Sequence, residues 1–159
     1  MKIDLRKAYD SVYWEFVEEL LASLKFPSKF IKWVKACIST PSYTLHMNGD
    51  DYGYFVEGRG LRQGDPLSPL IFVLVMEYLS KLFKKASNEQ GFKFHPHCKK
   101  TKLIHLMFVD DLVVFGAADP RAVQLIMEAF GKFSRSTGLE ANTAKSQVVM
   151  GGAELNRCM

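Results

Sequence analysis

The spacing of apolar and polar residues changes several times along this chain of 159 residues, and each change marks an expected element. Residues 1–5 read as a short buried strand. Val12, Phe16, Leu20 and Leu24 recur at helical spacing while Glu15, Glu18 and Glu19 fall elsewhere, which predicts a helix over 12–24 with Asp10 or Ser11 as its N-cap. Pro27 and Ser28 open a second helix whose apolar side is Phe30, Ile31, Val34 and Ile38. The period then shortens. Residues 43–47 and 52–56 flank Asn48-Gly49, the signal for a tight hairpin. Residues 58–66 form a loop rich in glycine. Residues 67–85 begin apolar on most sides and predict a largely buried helix. Residues 103–115 are β-branched and aromatic, interrupted by Asp110-Asp111. Asp119-Pro120 caps and starts a helix that runs towards Ser136 and stops before Gly138. Residues 147–150 predict a last strand. The order β, α, α, β, β, α, β, β, α, β is an α+β pattern around an antiparallel sheet, with no internal linker.

A chain of this length predicts one domain with one core. The 48% apolar and 24% charged composition is that of a globular chain and excludes a disordered one. The formal charge of +4 excludes a histone-like tail. The charge is uneven, however. Lys81, Lys84, Lys85, Lys93, Lys99, Lys100 and Lys102 face only Glu89 within residues 81–102, so that stretch carries about +6. It is either a solvated face or a surface for a polyanion. Cys37, Cys98 and Cys158 form no paired framework. No signal peptide opens the chain, and the longest apolar run, 70–76, is far short of the ~18 residues that span a bilayer. The expectation is an intracellular protein with free thiols and no membrane partner.

Asp110-Asp111 carries the chemistry. Two adjacent charges inside an apolar strand are costly, and a hairpin turn that exposes them removes the conflict. That reading needs no function, since Asp is a common turn residue. Asp4 offers a second one. It ends another apolar strand, and if the two strands are neighbours the acids meet at one edge of the sheet. Clustered carboxylates then take up protons or bind divalent cations, and all-oxygen ligands favour Mg²⁺ or Mn²⁺ over zinc. Two such ions about 4 Å apart clamp the attacking and leaving oxygens of a phosphoryl transfer.

Four blocks in order, KIDLRKAYDSVYW, GLRQGDPLSPLIF, FVDDL and GLEANTAKS, cover residues 2–146. Together they resemble the reverse transcriptase palm of non-LTR, LINE-type retrotransposons. The resemblance implies a polymerase palm, an RRM- or ferredoxin-like antiparallel sheet with helices on one face, together with helices of the palm–fingers border. It implies that Asp4 and Asp110 are the catalytic aspartates, that Asp111 assists them, and that the three hold two Mg²⁺ or Mn²⁺ ions. Tyr9 matches an aromatic steric gate that excludes a 2′-hydroxyl, though it also suits a half-buried packing role. Asp10 matches a family position and is equally suited to capping. Arg62, Gln63 and Gly64 match the block that contacts nucleotide and template, and the same loop serves as a helix lead-in. Lys145 matches a residue near the departing pyrophosphate or is an exposed lysine.

The implied reaction is RNA-templated DNA synthesis from deoxynucleoside triphosphates on a DNA primer. Against the family pattern, valine replaces the usual alanine at Val109, adding bulk beside the acids without removing a ligand. The expected domain is a partial reverse transcriptase over residues 1–150 with a tail at 151–159, lacking the upstream fingers motifs, the thumb and the endonuclease of a parent polyprotein. That truncation motivates the alternative, an inert retrotransposon-derived remnant with residual nucleic-acid binding. A two-metal phosphatase or cyclase would explain the acids but not GLRQGDPLSP. The nucleus is a location implied by the family only. His95, His97 and Cys98 lack a second ligand pair at zinc spacing.

Overall fold

The computed structural model describes residues 1–149. These divide into two compact units. The first comprises Met1–Arg6, Glu77–Arg135 and the described residues from Leu139. The second comprises Lys7–Met76 and Ser136–Gly138.

The first unit is built on a four-stranded sheet. Strand β1 (Lys2–Arg6) buries Ile3 and Leu5 and exposes Lys2 and Arg6, the period-two pattern of a strand with one covered face. It pairs antiparallel with β5 (Asp111–Val114), which pairs antiparallel with β4 (His105–Phe108). On its other side lies β6 (Glu140–Ala141), giving the order β4-β5-β1-β6. The covered face carries Ile3, Leu5, Leu112 and Val114. In this unit the helical layer comes from the Glu77–Ser87 portion of α4 (Ser68–Ser87) and from the Pro120–Arg135 portion of α5 (Pro120–Thr137). Leu79, Phe83, Ala122, Ile126 and Phe133 are among their buried residues. Asp119 caps α5 as expected, accepting a hydrogen bond from the amide of Ala122 at 3.3 Å, and Pro120 follows it.

The expected strand at 147–150 is not formed over 147–149. Gln147 makes an isolated bridge to Lys2, while the sheet's last strand is Glu140–Ala141. Edge pairing with β1 decides this, and two residues are too short to announce themselves by alternation. Met150 and the expected 151–159 tail lie outside the described residues.

The second unit holds the short α1 (Ala8–Ser11), α2 (Trp14–Ser23), α3 (Ser28–Ser39) and the hairpin β2 (Ser42–Met47) and β3 (Asp50–Val56). Asp10 and Ser11 do not cap α2. They sit inside α1, and Tyr13 is the N-cap residue without a side-chain bond. The amide of Tyr13 instead donates to the carbonyl of Thr137 at 2.9 Å. Helix α2 ends where Lys25 turns left-handed (φ 62), with Phe26 N–H bonded to Leu21 O and Lys25 N–H to Ala22 O, a Schellman motif followed by Pro27. Asn48 and Gly49 both have positive φ, so the hairpin closes on the type I′ turn that Asn-Gly predicts.

Candidate active site

The hairpin β4–β5 is joined by two residues, Val109 and Asp110. Val109 has φ 54 and Asp110 does not share a positive φ, which is the pattern of a type II′ turn. Glycine is the usual occupant of that first position, and a β-branched side chain there is a genuine outlier. Strain is therefore stored in the residue immediately before the acids.

Asp4 on β1 stands directly opposite Asp111 on β5. The register pairs Asp4 with Asp111, because the tight turn uses Asp110 as its second residue. Asp110 still touches β1 through its backbone, its carbonyl accepting from the amide of Leu5 at 3.2 Å. Asp4 and Asp111 are half-buried and Asp110 is exposed. All three lie in the first unit.

Lys2 completes this group. Two residues before Asp4 on the same strand, it shares Asp4's face, and its Nζ lies 3.0 Å from Asp111 Oδ1. The hydrogen bond and charge of Asp111 hold the Lys2 ammonium above its ordinary range, with Asp4 and Asp110 adding to the effect. Sequence reasoning missed Lys2, although the i, i+2 spacing from Asp4 was the available signal. The same open face carries Leu106 and Phe108 from β4, and Phe108 is 80% exposed directly beside Asp111 in the register.

The segment after β6 is tied to β1 at Asp4. Asn142 N–H donates to Asp4 O at 2.8 Å, and Asp4 N–H donates to Ser146 Oγ at 3.2 Å. Lys145, exposed, sits in the turn between those two anchors.

In the second unit, the loop containing Arg62, Gln63 and Gly64 is fastened to the segment containing Tyr9. Leu61 N–H donates to Tyr9 O at 2.7 Å, Gly60 N–H to Val12 O at 2.8 Å, and Trp14 Nε1–H to Gly60 O at 2.6 Å. Gly60 has φ 104, and a Cβ there would stand 2.9 Å from the carbonyl oxygen of Asp10, so only glycine permits this approach. The Tyr9 ring stacks on Phe72 at 4.7 Å, and the Arg62 guanidinium lies 5.5 Å from the centre of the Tyr43 ring. Gln63 and Gly64 are exposed. Asp65 accepts from Leu67 N–H at 2.7 Å in the turn that leads into α4.

Comparison with known proteins follows the same lines. The family described as Reverse transcriptase (RNA-dependent DNA polymerase) matches residues 1–156. The chain belongs to the reverse transcriptase family. Among curated relatives of this reverse transcriptase chain, the Retrovirus-related Pol polyprotein from type-2 retrotransposable element R2DM of Drosophila melanogaster is 30% identical over 143 residues, 90% of this chain. The corresponding polyprotein from type-1 retrotransposable element R2 of Nasonia vitripennis is 32% identical over 115 residues, 70% of this chain. The chain spans 13% of the Drosophila protein and 10% of the Nasonia protein. A structure of apo telomerase from Candida tropicalis, truncated from its C-terminal domain, superposes with a TM-score of 0.69 at 16% identity, covering 97% of this chain and 31% of that one. The expected fold, a reverse transcriptase palm of mixed helix and antiparallel sheet, is the fold observed.

In ligand chemistry the three aspartates fit a hard divalent cation, since they offer carboxylate oxygens and no imidazole or thiolate. They are gathered at the level of the backbone. Among the described residues, no three His, Cys, Asp or Glu side chains stand together as a ready ligand set, and the Asp111 carboxylate is taken by Lys2.

Proposed function

We propose that this chain supplies the catalytic palm of an RNA-directed DNA polymerase. The reaction is attack of a primer 3′-hydroxyl on the α-phosphorus of a deoxynucleoside triphosphate. The hydroxyl gives up its proton to solvent, a new P–O bond forms, the bond to the bridging oxygen breaks, and pyrophosphate leaves. The cross-strand placement of Asp4 against Asp111, with Asp110 in the adjoining turn, carries this reading. Asp4, Asp110 and Asp111 would hold two Mg²⁺ or Mn²⁺ ions, which when bound neutralise phosphate charge and favour the attacking oxygen.

The other roles follow from matching positions. Tyr9 supplies a flat ring that leaves no room for a 2′-hydroxyl, and its stacking on Phe72 gives the ring a rigid backing. Gln63 would hydrogen-bond the incoming nucleotide, Gly64 would allow close backbone approach, and Arg62 would contact nucleotide or template. Lys145 would balance charge on the departing pyrophosphate. RNA template, DNA primer and deoxynucleotide are the proposed partners, within a longer parent polyprotein that works in the nucleus.

The test is primer extension on an RNA template with Mg²⁺, using the 159-residue chain and the parent polyprotein, with Asp110→Asn as control. Extension that vanishes in the variant supports the enzyme. Absence of extension from both, with salt-sensitive nucleic-acid binding retained, supports the inert remnant instead.

A further inference from the structure

Seven of the chain's 21 lysines and arginines fall within residues 81–102. Helix α4 presents Lys81, Lys84 and Lys85, and the loop after it presents Lys99, Lys100 and Lys102, all exposed. Lys93 is taken by Asp119 at 2.7 Å, but among the described residues none of the other six has an ion-pair partner. Like charges gathered without counter-ions repel one another, and the arrangement is relieved by a polyanion.

A cleft of about 560 Å³ is lined by two of these lysines, Lys84 and Lys102, and lies wholly within the first unit. That is within the range of roughly 300–1,000 Å³ that holds small-molecule groups. Ser80, Lys84 and Ser87, at helical spacing on α4, form one wall, and Phe94, Lys102 and His105 line the other. His105 bonds Ser80 Oγ through Nε2 at 3.0 Å and leaves its buried Nδ1 without a partner among the described residues. Since His105 pairs with Val114 in the register, it belongs to the helix-covered face of β4, opposite the face that carries Asp4 and Asp111.

We propose that this cleft is a second nucleic-acid site, separate from the carboxylate face, that holds single-stranded RNA with its phosphates on Lys84, Lys102 and their lysine neighbours and one base against Phe94. Single-strand sites pair a basic groove with an aromatic platform in this way. A stacked base pair cannot present one face to Phe94, so a duplex is disfavoured.

The experiment is fluorescence anisotropy of a labelled single-stranded RNA ten-mer with the full 159-residue chain across a salt series. The K84Q/K102Q variant should bind roughly tenfold more weakly, and its slope of log K against log salt should flatten by about 1.4, the share of two phosphate contacts on a single strand. Phe94→Leu should weaken binding roughly fivefold or more with the slope unchanged. Primer extension by the same variants is measured alongside, so that loss of RNA binding at this cleft and loss of polymerase activity are read separately. Unchanged affinity and slope in the lysine variant overturn the proposal. So does a duplex bound as tightly as the single strand, or retention on anionic vesicles with no RNA binding.

Discussion

Asp4 and Asp111 are direct cross-strand partners, so two carboxylates face one another across adjacent strands, with Lys2 paired to Asp111. Like charges placed opposite in a sheet oppose folding by a few tenths to about 1 kcal/mol. Asp4→Asn should therefore raise the stability of the chain by about 0.5 kcal/mol while abolishing primer extension. A denaturant midpoint and an extension assay on the same preparation check this. Loss of both together would mean that the carboxylate supports the fold and not the chemistry.

The turn before Asp110 holds a second cost. Val109 is β-branched at φ 54, where such residues lose about 1–3 kcal/mol. Val109→Gly removes that strain and gives back part of the gain through the greater freedom of its unfolded chain. The net expectation is a gain of about 1 kcal/mol, read as a higher melting temperature. An unchanged or lower value would show that the turn is not strained by its side chain.

Gly138 ends α5 at φ 81, and a Cβ there would meet the Ser11 carbonyl oxygen at 2.5 Å and the Tyr13 ring at 2.8 Å. Gly138→Ala should cost about 2 kcal/mol or more, because backbone strain and a clash with backbone add. The loss is measured by urea unfolding, where the midpoint should fall with little change in slope.

His105 gives a pH dependence with a definite sign. Burial pushes its imidazole below the ordinary histidine range, and the charge of Glu77 offsets this only in part. The unfolded chain therefore binds a proton more readily than the folded one. The stabilising contribution of the neutral ring is present above the unfolded value of about 6.5 and is lost as pH falls through the lowered folded one. Thermal melts between pH 7.5 and 5 should show this decline, and it should be shallower in His105→Gln.

Much of this was legible along the chain. The strand at β1, the Asn48-Gly49 hairpin, the capped start of α5 at Asp119 and the acids at 110 and 111 follow from local rules of period, turn and cap, each of which acts within a few residues. The four blocks of the polymerase family were legible for the same reason, since each is a short run of fixed spacing. Register was not. Whether Asp4 faces Asp110 or Asp111 depends on which residues the β4–β5 turn consumes, and that turn uses a valine in a conformation that local preference disfavours. Lys2 as the counter-ion, β6 as the edge strand, Ser146 under the Asp4 amide and the approach of Gly60 to Asp10 are contacts between residues far apart in sequence. Their energies exist only once the chain has brought them together, so local pattern determined the kinds of parts, and tertiary packing alone decided which residues meet.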